Sequence, residues 1–151
     1  MAKKQPSDTV AKRLSHYLAD TALLYMKTLN YHWNMVGPEF FMYHKLLEGQ
    51  YEELSEALDE IAERIRMLGP KAPATMKEYL ELASLKEGKS THTQDQMVHE
   101  LIKDHESMVW SATQLISFSD EQEDAGTSDL IVKWLRFHDK NAWLLRSHAK
   151  K

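Results

Sequence analysis

Two histidines and three acids carry the spacing in this chain that suggests chemistry. His32 and His44 fall on apolar stripes, at positions where the neighbours in the pattern are Leu, Phe or Tyr. Glu48 follows His44 by four residues, and Asp59 and Glu63 are likewise four apart. Four residues are about one helical turn, so each pair shares a helix face. Imidazole and carboxylate donors without sulfur suit a ferrous ion. Simpler readings compete with this one: two buried, hydrogen-bonded histidines, and acids on a solvated helix face.

Distance restricts how these residues can meet. His44 and Asp59 lie 15 residues apart, which on one helix is about 22 Å. They cannot hold one ion within a single chain. Two copies of the helix packed antiparallel about a two-fold axis can bring them together. A dyad between Glu53 and Leu54 would set His44 against Glu63 and Glu48 against Asp59, because both pairs share that midpoint. This arrangement predicts two identical sites, each built from both subunits.

The elements that must position these groups are helices. Ser7 or Asp8 can cap a first helix after Pro6 by accepting from its free N–H groups. That helix is predicted to end near Trp33, before Gly37-Pro38. A second is predicted from about Glu39 to Leu68, stopped by Gly69-Pro70, then a short piece over Met76 to Ala83. A third long helix is expected over Gln94 to Phe118 and a last over Asp129 to His148, separated by the polar loop SDEQEDAGTS. Leu14, Leu18, Ala22, Tyr25 and Leu29 line the first. Phe40, Leu47, Tyr51, Leu54, Leu58, Ile61, Ile65 and Leu68 line the second. Met97, Leu101, His105, Met108, Ala112 and Leu115 line the third, and Leu130, Ile131, Trp134, Phe137 and Leu145 the fourth. No segment alternates with period two. The prediction is an all-α four-helix bundle, with the short extra helix in the crossover between the second and third long helices.

Composition narrows the function. At 151 residues the chain has the length of one compact domain, and 42% hydrophobic with 28% charged residues excludes wholesale disorder. No apolar run approaches the roughly 20 residues that cross a bilayer, and MAKKQPSDTV has no apolar stretch of a secretory signal. A cytoplasmic protein with no membrane partner is the simplest reading. With no cysteine, thiolate sites, cysteine nucleophiles and disulfides are excluded. Glu-x-x-His, by which many four-helix bundles hold an internal di-iron centre, does not occur. No serine or threonine has a recognisable base partner. Of the other histidines, His105 reads as a core residue and His16 as a surface one; His92, His99, His138 and His148 show no ligand spacing.

The segment from Asn30 to Gly69, NYHWNMVGPEFFMYHKLLEGQYEELSEALDEIAERIRMLG, closely resembles the signature of the Dps family, the small ferritin-like proteins. Tyr31-His32-Trp33-Asn34, Gly37-Pro38, His44 and Asp59-Glu60-Ile61-Ala62-Glu63-Arg64 match at the family's spacing. A weaker likeness continues through the crossover helix, Asp124 to Leu130, and the last helix, so nearly the whole chain is covered. The resemblance implies a hollow homododecamer that oxidises Fe(II), usually preferring hydrogen peroxide over dioxygen, and stores ferric oxide inside. Carried over by position, His32, His44 and Glu48 come from one subunit, and Asp59 and Glu63 from its dimer partner. Glu48 stands where the family often has Asp. Trp33, beside the first histidine, is a candidate electron donor or a packing residue. Asp124 and Asp129 are candidates for an acidic iron-entry pore, and Glu52 and Glu56 for the surface where mineral nucleates.

DNA is the partner the sequence supports least. Lys3 and Lys4 in a basic tail over residues 1–7, with Lys150 and Lys151 behind, are its only terminal cations of note, against a net charge of -4. Repetition over many subunits multiplies weak contacts, so a non-enzymatic, nucleoid-packing assembly stands as the alternative reading.

Overall fold

The computed structural model describes residues 8–149; Ser7, Lys3, Lys4, Lys150 and Lys151 lie outside them. Four long helices, α1 (Val10–Asn34), α2 (Phe40–Met67), α4 (Gln94–Glu121) and α5 (Ala125–His148), form the expected bundle, and α3 (Met76–Leu82) lies in the crossover. α1 packs along α2, α4 along α5, and α1 also meets α3 and α4. Among the described residues there is no strand, and no helix is long and apolar enough to cross a membrane.

The stripes close into one core. Leu14, Leu18 and Leu24 of α1, Leu47, Leu54, Ile61 and Ile65 of α2, Met97, Leu101 and Met108 of α4, and Trp134 and Leu145 of α5 are buried in it. The stripe read along α2 is wider than its buried line. Phe40, His44, Tyr51 and Leu58 are half-buried and Leu68 is exposed, so part of this face looks away from the bundle. Polar links join helices beside the apolar core. Lys27, itself buried, reaches Asp104 at 2.7 Å, and the Tyr31 hydroxyl donates to Glu100.

Helix ends depart from the sequence reading in two places. Thr9 caps α1 by accepting from the Lys12 N–H, whereas Asp8 pairs with Arg13 at 2.7 Å. An ion pair with a partner five residues on draws the Asp8 carboxylate away from the free N–H groups it was expected to cap.

The second departure is the α4–α5 corner. The predicted ten-residue loop is largely helical: α4 runs on to Glu121 and α5 starts at Ala125. Glu123 has φ 58°, the left-handed conformation that closes a Schellman cap. The Asp124 N–H donates to the Ser119 carbonyl at 2.9 Å and the Glu123 N–H to that of Asp120 at 3.0 Å. A helix stop here usually contains Gly, so the turn carried no glycine signal. Asp124 then caps α5, accepting from the Thr127 N–H and hydroxyl and from the Arg64 guanidinium at 2.6 Å. Glu123→Gly should relieve the left-handed penalty and raise unfolding stability by about 1 kcal/mol, measured as a higher urea midpoint with an unchanged slope.

Candidate metal centre

His32 lies in the last turn of α1 and His44 in the first turns of α2, so the short α1–α2 connection brings the two imidazoles together. The rings stack with centroids 3.7 Å apart and planes 11° from parallel. Each ring is held by the other's backbone. His32 Nδ1 lies 2.8 Å from the His44 carbonyl oxygen, and His44 Nδ1 lies 2.8 Å from the His32 carbonyl oxygen. The His32 carbonyl can accept because carbonyls of a last helical turn have no partner within the helix.

A carbonyl can only accept, so both Nδ1 atoms must carry the proton. In the neutral rings, both Nε2 atoms therefore keep a free lone pair. This is the arrangement by which a backbone carbonyl, bonded to one ring nitrogen, fixes the tautomer of a histidine that binds metal through the other. Tyr51 presents an edge to His32 at 5.1 Å and Phe40 leans on His44 at the same distance. Aromatic walls on both sides leave the rings little freedom to turn.

Glu48 is near enough to the rings to feel them electrostatically. Lys45 donates to its carboxylate at 3.1 Å. That hydrogen bond and the ammonium charge hold the carboxyl below its usual range. The carboxylate is thus ionised and available, with an exposed ammonium as its present partner. Asp59 and Glu63 are exposed further along α2. Among the described residues no three His, Asp or Glu side chains of the one chain gather around a point. His32 and His44 stack at one end of α2, with Glu48 one turn further on and paired with Lys45, while Asp59 and Glu63 lie about four turns or more beyond His44 on the same helix.

The remaining candidates are placed as follows. Trp33 is 61% exposed next to His32. Glu52 and Glu56 are exposed on α2, and Lys133 reaches Glu56 at 3.3 Å while holding Glu60 at 2.7 Å. Asp129 is exposed on α5. Asp124 is engaged: burial works against its charge, but Thr127 and Arg64 together hold its carboxyl below the usual range.

Sequence reasoning missed Lys45, Lys133 and the Arg64 clamp on the α4–α5 corner, since each depends on a side chain reaching a neighbour. It also missed that His138 meets His105. A signal for that pair existed, because the two sit at similar distances on either side of the α4–α5 turn, where antiparallel neighbours face each other.

Comparison with known proteins bears on what such a centre does. A family model described as a ferritin-like domain matches residues 11–151. A low temperature-induced protein of Nostoc is 41% identical over 140 residues, spanning 91% of this chain and 78% of its own. DNA protection during starvation protein 2 of Bacillus anthracis is 38% identical over 138 residues, spanning 91% and 94%. Among solved structures, Dps from Staphylococcus aureus superposes with a TM-score of 0.90 at 31% identity, covering 94% of this chain and 95% of that one. A Dps protein from Vibrio cholerae, described as belonging to a broad superfamily of ferritin-like diiron-carboxylate proteins, gives 0.87 at 30% identity, covering 91% and 87%.

Proposed function

This chain belongs to the Dps family of ferritin-like proteins, and from that premise we propose that it is an iron-oxidising, iron-storing subunit of a hollow dodecamer. Fe(II) is the substrate. It is oxidised at centres shared between two subunits, preferably by hydrogen peroxide, and is kept inside the shell as ferric oxide.

The observation that carries this reading is the reciprocal Nδ1 lock of His32 and His44. A buried structural pair would need only to satisfy its own hydrogen bonds, for instance ring to ring. Here both rings are tied by Nδ1 to backbone, which frees two Nε2 lone pairs for an incoming cation. Glu48, one turn after His44, adds a carboxylate within electrostatic range of both rings, and Asp59 with Glu63 of a partner subunit complete the set. The dyad on α2 inferred from their shared midpoint supports that assignment. Exposed apolar side chains such as Phe41, Met67 and Trp143 support burial of further surface in an assembly.

The chain's residues have distinct tasks in the reaction. The imidazoles and carboxylates hold Fe(II), and the carboxylates offset the charge that grows on oxidation to Fe(III). Two Fe(II) each give up one electron to one peroxide; its O–O bond breaks, and with two protons it leaves as two waters. Trp33 can supply an electron when a single iron meets peroxide. Negative potential draws cations inward. Asp129 is the freer of the two proposed pore acids, since Asp124 is partly neutralised by Arg64. Glu52 offers an unencumbered carboxylate for mineral nucleation, whereas Glu56 shares Lys133 with Glu60.

Anaerobic addition of peroxide to Fe(II)-loaded protein tests the chemistry. The expected result is two Fe(II) consumed per peroxide, with little hydroxyl radical captured by a spin trap, and slower oxidation by dioxygen. One Fe(II) per peroxide with abundant radical would mean uncontrolled one-electron chemistry and would contradict the reading. Relatives named for DNA protection make DNA packing the second reading; strong, steeply salt-dependent DNA binding with slow iron oxidation would favour it.

A further inference from the structure

Away from the iron-binding residues, the bundle interior holds a second imidazole pair. His105 on α4 and His138 on α5 are both 0% exposed, and their Nδ1 atoms lie 2.9 Å apart in hydrogen-bond geometry. One ring must donate and the other accept. The donor ring therefore has an Nε2 lone pair, and the acceptor ring has an Nε2–H. Neither Nε2 has a partner, and the buried hydroxyl of Tyr17 on α1 has none either. Tyr17 sets its ring at right angles to His138, with centroids 6.4 Å apart. Phe137 flanks both imidazoles.

Three polar groups without partners in the core are costly. Each would lose about 1–3 kcal/mol of solvation with nothing in return. Natural interiors resolve such sites with ordered water or an ion. A metal fits poorly, because the two Nδ1 atoms point at each other and not at a common third point. The carboxylate that Tyr17 feels, Asp20, already accepts from the Ser84 and Leu85 N–H groups, and burial raises the Tyr17 hydroxyl far above its usual range, so no free anion is at hand to balance a divalent charge. Water fits each orphan: it can donate to the bare Nε2, accept from the Nε2–H, and do either for the phenol. Supply is near, since Tyr17 also lines a surface cavity of about 580 Å³ with His16, Asp20 and Trp110.

We infer that His105, His138 and Tyr17 form an interior water-binding site that ties α1, α4 and α5 together through ordered, hydrogen-bonded water. The site is independent of the iron chemistry proposed above. It accounts for two histidines on core positions where leucine would otherwise pack.

A crystal structure of the wild-type protein at high resolution tests it. Water is expected within about 2.7–3.2 Å of each unpaired Nε2 and of the Tyr17 hydroxyl. An empty interior overturns the proposal, as does an anomalous-scattering peak about 2 Å from a ring nitrogen, which would mark a metal. Tyr17→Phe provides a second measurement. If the hydroxyl anchors water, the melting temperature should fall by about 2–4 °C. A rise of similar size would show that the hydroxyl was an unsolvated liability and would overturn the site as drawn.

Discussion

Peroxide-driven Fe(II) oxidation should fall at least about a hundredfold when His32 and His44 are both replaced by alanine. Loss of groups that merely orient metal ligands costs roughly 10–100-fold, and here two ligands and their mutual backbone lock go together. The helices should survive. His44 is half-buried, and the core residues of α1 and α2, such as Leu24, Leu47 and Leu54, are untouched. Far-UV circular dichroism and size-exclusion chromatography on the same samples separate lost chemistry from lost assembly. Equal rates in the two intact proteins would make the stacked pair a structural feature and remove the proposed centre.

The second large effect is acid sensitivity set by the other imidazole pair. Burial pushes His105 down to about 3, and burial with the neighbouring His105 pushes His138 well below its ordinary value. In the unfolded chain both return to about 6.5. Below that pH the unfolded state binds more protons than the folded one, so stability is fully present above about pH 6.5 and declines as pH falls toward 3. One such histidine loses about 1.4 kcal/mol per pH unit, or roughly 3 kcal/mol between pH 6 and pH 4. His138 adds to the loss in the same direction. Urea unfolding at fixed subunit concentration should therefore show a midpoint that drops steeply over this range. His105→Leu/His138→Leu should flatten the profile; parallel profiles in the two proteins would mean that other groups control acid stability.

Much of this molecule is legible from side-chain periodicity. The stripes of α1 and α4, such as Leu14, Leu18, Met97 and Leu101, mark their buried faces directly, and Gly37-Pro38 and Gly69-Pro70 bracket α2. The α4–α5 corner was illegible because Glu123 takes a left-handed conformation that glycine would have announced. The start of α1 was misjudged because Asp8 has a competing cation at Arg13. Spacing along α2 pointed to His44, Glu48, Asp59 and Glu63 together, since a single helix maps sequence onto distance. The tautomer lock was invisible, because it depends on how the α1–α2 turn aligns two carbonyls with two rings. The His105–His138 pair was missed for a related reason: each histidine looked solitary until α5 folded back on α4.

The central claim, that one centre draws its residues from two subunits, is tested most directly by complementation. Unfolded His32→Ala/His44→Ala and Asp59→Asn/Glu63→Gln subunits are mixed in equal amounts, refolded and assayed for Fe(II) oxidation by peroxide. Each parent alone should be inactive. In a mixed dimer one centre loses both sets of ligands and the other regains both, so random mixing should restore about a quarter of the wild-type rate. A mixture no more active than its parents, though assembled, would contradict a shared centre and place the chemistry within single chains.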